Sequence, residues 1–208
     1  MCYTTKESGK LDNKRVNKKM GGIAKVGAEL FSKRGFAETS MEDIAAAAKL
    51  SKGGIYHYFP SKTELLYFIL DNFMNNVLEN LQEELDSLDD KLEKVRRLIF
   101  RHVELYPKKM AEAKTLFHEV QNLPPKSFRK IVAREREYYH IAAQVLSEYF
   151  GASVNKSQVT AMTFILLGMC NSIYAWYNPR SSIHPDQLSK IIFSVVIDGV
   201  RGFGKKKG

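Results

Sequence analysis

The chain has 208 residues, 44% hydrophobic and 26% charged, with a formal net charge of +9, which suits one large domain or a small domain joined to a larger one. No apolar run is expected to reach the ~18 residues of a membrane span, because the longest, TAMTFILLGMCNSIYAWY, is interrupted by Thr163, Gly168, Asn171 and Ser172. The N-terminus is polar and basic without an apolar signal core, so a cytoplasmic location and no membrane partner are expected, and two cysteines, Cys2 and Cys170, offer no disulfide framework.

Taken in chain order, residues 1–13 read as a disordered basic arm. From Val16 the apolar residues fall at helical spacing through Met20, Ile23, Ala24, Leu30 and Phe31, and Gly35 is a natural stop. TSMEDIAAAAKL opens with a capping pattern, Ser40 with Asp43 three residues on. SKGGIYHYF is a very short helix ended by Pro60, and Ser61 with Glu64 starts a long one. Further helices follow over about 89–106, 108–123, 126–150, 155–176 and 185–203, divided by Pro107, Pro124-Pro125 and Gly151. No alternating strand pattern is present, so an all-α fold of about nine helices is expected.

Charge divides the chain. Residues 1–62 hold 12 Lys/Arg against 6 Asp/Glu, residues 63–203 hold 17 against 17, and Lys205, Lys206 and Lys207 supply the rest. A solvated basic tail would account for this, and so would a nucleic-acid-binding module at the N-terminus. The short helix favours the second reading. Three helices over 14–59, the last two joined by a tight connection, make a helix-turn-helix whose second helix can enter the major groove. Gly53 and Gly54 would let the backbone approach a phosphate closely. Ser51 and the amides at the helix start can hold a phosphate. Lys52, Tyr56, His57 and Tyr58 bring polar tips to phosphates or base edges, and Lys62 suits a phosphate clamp. Ile55 and Phe59 read as core.

The stretch AELFSKRGFAETSMEDIAAAAKLSKGGIYHYFPSKTELL, residues 28–66, resembles the DNA-binding domain of the TetR family of bacterial one-component regulators. That resemblance implies a DNA-contact role for Thr39, Ser40, Ser51, Lys52, Gly53, Tyr56, His57, Tyr58 and Lys62. It further implies a homodimer on a double-stranded palindromic operator, with a helix-turn-helix domain over 14–61 and a ligand-binding and dimerisation domain over 62–208.

The larger domain has balanced charge and long apolar stripes. MTFILLGMCNSIYAWY and LSKIIFSVVIDGVRGF are apolar nearly all round, more than one core-facing stripe requires, and are the expected dimer seam. Phe100, Arg101, Tyr106, Phe117, Tyr138 and Trp176 are candidate ligand contacts, although aromatic residues at helical spacing are ordinarily core. His102, His118 and His140 match no metal-ligand spacing, and no nucleophile–base pair or phosphate loop stands out, so neither a metal, a cofactor nor catalysis is expected. FHEVQNLPP and MCNSIYAWYNPRSSIHPDQL are similar to a TetR subgroup that responds to acyl-CoA thioesters. The basic residues Arg96, Arg97, Arg101, Lys108, Lys109 and Lys114 read either as solvated faces or as contacts for a phosphate-bearing inducer, and taken with the second reading that similarity implies an acyl-CoA inducer. A multidrug sensor of the same fold, or a helical small-molecule-binding protein or enzyme that does not bind DNA, are the alternatives.

Overall fold

The computed structural model describes residues 5–178 and 183–204, with side-chain burial described for 15–178 and 183–199. Cys2, positions 179–182 of the second resembling stretch and the lysines at 205–207 lie outside these. All regular structure among the described residues is helical: α1 (Thr5–Arg34), α2 (Met41–Ala47), α3 (Lys52–Tyr58), α4 (Lys62–Leu78), α5 (Leu81–Asp86), α6 (Lys91–Glu104), α7 (Tyr106–Glu119), α8 (Pro125–Phe150), α9 (Lys156–Asn171), α10 (Ile173–Trp176) and α11 (Pro185–Gly204), with short 3-10 turns at Val120–Asn122 and Gly151–Ser153. Two of the nine expected helices are broken. Asn80 takes a left-handed φ of 55° between α4 and α5. At Ser172 the backbone bonds tighten, Ala175 N donating to Ser172 O at 3.0 Å, and this separates α9 from α10. The expected basic arm also differs, because α1 begins at Thr5 and takes up most of it.

Local chemistry sets the helix ends. Ser40 accepts from Asp43 N at 3.0 Å while the Asp43 carboxylate accepts from Ser40 N at 2.9 Å. Ser51 caps α3 through Gly54 N at 3.1 Å, and Ser61 caps α4 through Glu64 N at 3.1 Å. Such caps each contribute about 1 kcal/mol, which matters most for α3, a helix of 7 residues with two glycines. Gly35 ends α1 at φ 84°, where a side chain would be strained. Lys49 carries a φ of 57° in the α2–α3 turn, a left-handed position filled without glycine.

The N-terminal core gathers Ile23, Ala28, Phe31, Ile44, Ile55 and Phe59 against Leu65 and Ile69 of α4, all buried. Helix α1 comes very close to α4: a Cβ on Gly27 would lie 3.2 Å from both the Ile69 and Leu65 side chains. The same cluster continues without a gap through Phe73, Val95, Leu98, Val103, Leu116, Ala142 and Leu166. Helix α1 packs on α7 as well as on α4, α8 packs on α4, α6 and α9, and α11 lies along α6. The two domains therefore share one hydrophobic interior.

One face is left apolar and exposed. Phe164, Ile165, Trp176, Ile191 and Val195 project from α9, α10 and α11, each more than half exposed. The segment Lys156–Trp176, with a mean hydropathy of 1.4 over its best window, is long and apolar enough to cross a membrane by length and composition. This corrects the expectation that no run qualifies. The segment is nonetheless broken at Ser172 and packed against α6, α8 and α11 on its inner side.

Candidate DNA-reading surface and ligand cavity

Helix α3 turns one side inward and the other out. Ile55 and Phe59 are buried; Ser51, Lys52, Gly53, Tyr56 and His57 are exposed, and Tyr58 is half-buried. His57 and Tyr58 meet edge to face at 5.1 Å. Lys52 Nζ pairs with Glu42 Oε1 of α2 at 2.8 Å, both side chains exposed, and this ammonium holds the Glu42 carboxyl below its usual range. The glycines differ. A Cβ on Gly53 would meet nothing within 4 Å, whereas one on Gly54 would lie 3.2 Å from the capping hydroxyl of Ser51. The open approach to backbone is thus at Gly53, whereas a side chain at Gly54 would press on the cap.

Two expected DNA contacts are placed differently. Thr39 is 1% exposed, and its hydroxyl donates to Gly35 O at 2.8 Å. Its side chain fastens the α1–α2 turn and cannot reach a phosphate. Ser40, next to it, is exposed while it caps α2. Lys62 Nζ donates to Phe36 O at 2.7 Å, Thr39 O at 2.8 Å and Ala37 O at 3.3 Å, and sits 4.3 Å from the Phe36 ring centroid. Its three protons are directed into that turn. The reach from α4 back to the turn spans 26 residues of sequence, so nothing local could have signalled it.

The second site is a cavity of about 670 Å³, within the usual range for small-molecule sites. Phe73, Met74 and Val77 of α4 form one wall; Leu116 and Phe117 of α7, Val132 and Tyr139 of α8, and Phe164, Leu167 and Gly168 of α9 complete it. Its polar groups divide by depth. On the more exposed side stand Arg136 and His140, which also line an adjoining shallow groove of about 500 Å³ with Gln82, Glu137 and Gln144. At the buried end His102 Nδ1 lies 2.8 Å from Tyr138 Oη and Nε2 lies 3.3 Å from Tyr106 Oη, and the Tyr106 hydroxyl donates to Asn171 O at 3.4 Å. Burial pushes the His102 imidazole down to about 4, against a smaller opposing pull from the Asn171 side chain. Burial likewise raises Tyr106, Tyr138 and the Glu135 carboxyl on the wall, and lifts the Cys170 thiol to about 12. The apolar walls therefore enclose a neutral hydrogen-bonded cluster.

Of the six expected ligand residues, Tyr106, Phe117 and Tyr138 line this cavity and Phe100, Arg101 and Trp176 do not. Arg101 donates to Glu79 O at 2.8 Å and pairs with Glu84 at 3.4 Å. Trp176 is 54% exposed on the outer apolar face. Three more of the expected basic residues are engaged elsewhere: Arg97 pairs with Glu84, Lys109 with Glu112, and Arg96 with Glu93 while it lies over the Phe193 ring. The cation at the cavity, Arg136, was missed. It sits on α8 in the mixed run AREREYYH, where only the fold selects one arginine over another. Among the described residues no cluster of three or more metal-ligating side chains occurs.

A three-helix N-terminal unit is thus fused to a helical bundle with a cavity of its own, the form of a two-part transcriptional regulator. Residues 23–67 match the family described as bacterial regulatory proteins, tetR family, and residues 88–200 match the tetracyclin repressor-like C-terminal domain. The chain belongs to the TetR family, and is a DNA-binding transcriptional regulator, not an enzyme. It is 25% identical over 192 residues to the HTH-type transcriptional repressor KstR2 of Mycobacterium tuberculosis, covering 89% of this chain and 94% of that one. A TetR-family regulator from Bordetella parapertussis superposes with a TM-score of 0.82 at 25% identity, covering 88% of this chain and 96% of the other. AibR, whose structure was determined in complex with isovaleryl coenzyme A and operator DNA, shares the fold with a TM-score of 0.75 at 24% identity, over 85% of this chain and 97% of AibR.

Proposed function

We propose that this protein is a cytoplasmic homodimeric repressor that binds a palindromic operator and is released by an acyl-CoA thioester. The observation that carries the reading is on α7. The buried Thr115 hydroxyl, whose proton goes chiefly to Ala111 O of its own helix at 2.8 Å, also lies 3.3 Å from Ala28 O where α1 packs along α7, while the next two residues, Leu116 and Phe117, line the cavity. A ligand that moves α7 must act on α1, which packs against the helix-turn-helix. Release then requires that the ligand bind better to a state whose two recognition helices no longer match successive major grooves, about 34 Å apart.

Ser40, Ser51, Lys52, Gly53, Tyr56, His57 and Tyr58 form the DNA-facing set. The apolar row on α9–α11 forms the seam between subunits, since exposed apolar area of this kind marks an interface. In the cavity the acyl group would lie among Phe73, Phe117 and Phe164, each buried methylene contributing roughly 0.8 kcal/mol. The CoA phosphates would meet Arg136 near the groove. KstR2 is a repressor by name, and the AibR complex holds a short acyl-CoA; both are consistent with this assignment.

The test is operator affinity and thermal stability against a panel of acyl-CoAs, CoA and free acids. A thioester should raise the melting temperature and dissociate the operator. If only a CoA-free compound does both, the inducer assignment is wrong and the regulator reading stands.

A further inference from the structure

We propose that the buried end of the cavity selects a ligand whose far end donates a hydrogen bond, an alcohol in preference to a ketone or a carboxylate, because His102, Tyr106 and Tyr138 spend their own protons on one another and on Asn171. This deepens the reading of the cavity as the inducer site and rests on it.

The argument is a proton count. The Asn171 backbone carbonyl can only accept, so the Tyr106 proton at 3.4 Å goes to it. The Tyr106 oxygen is then the acceptor for His102 Nε2–H at 3.3 Å. A neutral imidazole protonated at Nε2 has a bare Nδ1, which accepts from Tyr138 O–H at 2.8 Å. Burial keeps the ring neutral at physiological pH. All three protons of the chain are committed in one direction. What Tyr138 and Tyr106 retain is acceptor lone pairs, and both tyrosines line the cavity.

A ligand hydroxyl can donate to those lone pairs. A ketone at the same depth meets acceptors with an acceptor, and a carboxylate adds an uncompensated charge, since among the described lining residues the permanent cation, Arg136, is on the exposed side. The competing donor on the lining at this end is the Asn171 side-chain amide, which is engaged with the His102 ring rather than with Tyr138. The opposite polarity, with Nδ1 protonated, would free the Tyr138 proton and reverse the preference. It would also withdraw the Tyr106 proton from Asn171 O.

The experiment is calorimetric titration of the full-length protein with a ladder of medium-chain acyl-CoAs, each beside its (ω−1)-hydroxy and (ω−1)-oxo derivatives. At the chain length that places the group beside Tyr138, the alcohol should bind up to about tenfold more tightly than the ketone, the scale of one net hydrogen bond. Tyr138→Phe should lower that preference toward the level Tyr106 alone supports, read as the alcohol-to-ketone ratio within the variant so that any change in overall affinity cancels. Equal binding of alcohol and ketone at every length, or a preference for the ketone, overturns the proposal while the unsubstituted chains still establish the cavity as the acyl site. If no acyl-CoA binds at all, the cavity reading falls and this proposal with it. The wild-type comparison decides even if the variant does not fold.

Discussion

The ammonium of Lys62 lies 2.7 Å from the carbonyl oxygen of Phe36, in the turn that follows α1 and 26 residues earlier in the chain. The same nitrogen reaches Thr39 O at 2.8 Å and the face of the Phe36 ring. The turn between α1 and α2 is therefore tied to the first residue of α4, and the orientation of α2 depends on that tie. Thr39 closes the turn from within through Gly35 O.

Lys62→Met should therefore act on stability. Hydrogen bonds to a charged group contribute more than neutral ones, and this one is only partly exposed, so a loss of about 2 kcal/mol is expected in urea unfolding. The slope of operator affinity against salt should stay unchanged, since no phosphate contact is lost. A reduced slope with unchanged stability would restore Lys62 to the DNA surface.

Gly53 and Gly54 separate two roles that look identical in sequence. Gly53→Ala meets open space and replaces a glycine in the first turn of α3, so the fold should gain somewhat less than the roughly 1 kcal/mol of a helix-interior site. The added methyl stands on the exposed start of α3, where backbone would approach a phosphate, so operator binding should fall. Gly54→Ala brings a methyl to 3.2 Å from the Ser51 hydroxyl, which must give by a few tenths of an ångström, so its gain in stability should be smaller than that of Gly53→Ala. Thermal unfolding and a mobility shift on both variants measure the two effects. A Gly53→Ala protein that binds operator normally would remove the close-approach role.

The apolar outer face predicts assembly. Ile165→Glu and Val195→Glu alter side chains that are 61% and 55% exposed, so each subunit should keep its fold while the dimer splits. Mass photometry should show monomers, and operator affinity should fall by at least an order of magnitude as two-site binding is lost. Val196 is the contrasting control. It is 7% exposed, and Val196→Glu should unfold the α11 packing, because a buried unpaired charge is strongly destabilising. A wild-type protein that stays monomeric at micromolar concentration would sink the seam and the two-fold operator together.

The division between what the residues signal and what they hide follows distance along the chain. Ser40, Ser51 and Ser61 cap helices because each cap is written within three residues, and the inward placing of Ile55 and Phe59 follows from α3 periodicity. The break at Asn80 carries no glycine or proline and was invisible for that reason. Ser172 is similar, as its neighbours remain helical. The ligand residues were legible only as a composition of aromatics on the middle helices. Whether Phe100 or Tyr106 faces the cavity depends on how α6 and α7 cross, a tertiary fact. Arg101 looked like a free cation because its partners, Glu79 and Glu84, lie across a helix break. His102 looked like a core histidine, and in part it is one. Its meaning comes from Tyr138, 36 residues away.

His102 also gives the fold a pH dependence whose sign can be worked out. Its ordinary value is 6.5, and burial lowers it to about 4 in the folded protein. Between these values the unfolded chain holds a proton that the folded chain does not. Stability therefore rises with pH across this window. The contribution is fully present above pH 6.5 and is lost as pH falls toward 4, amounting to about 3 kcal/mol at full extent. Glu135, whose carboxyl is raised by burial, acts with the opposite sign, its stabilisation lost as pH rises through its folded value. Glu42 and Asp43, whose values are lowered, lose their contributions only further into acid. The difference between wild type and His102→Gln cancels these background groups. Unfolding free energy measured by urea from pH 7 to pH 4.5 should fall more steeply in wild type than in the variant. Affinity for a ligand that donates to Tyr138 should hold over that interval and weaken only as pH falls to about 4, where the folded ring itself gains a proton and an imidazolium no longer accepts the Tyr138 proton at Nδ1. Parallel slopes for the two proteins would mean that His102 titrates near its ordinary value, and that the cavity end is wetter and more charged than its geometry indicates.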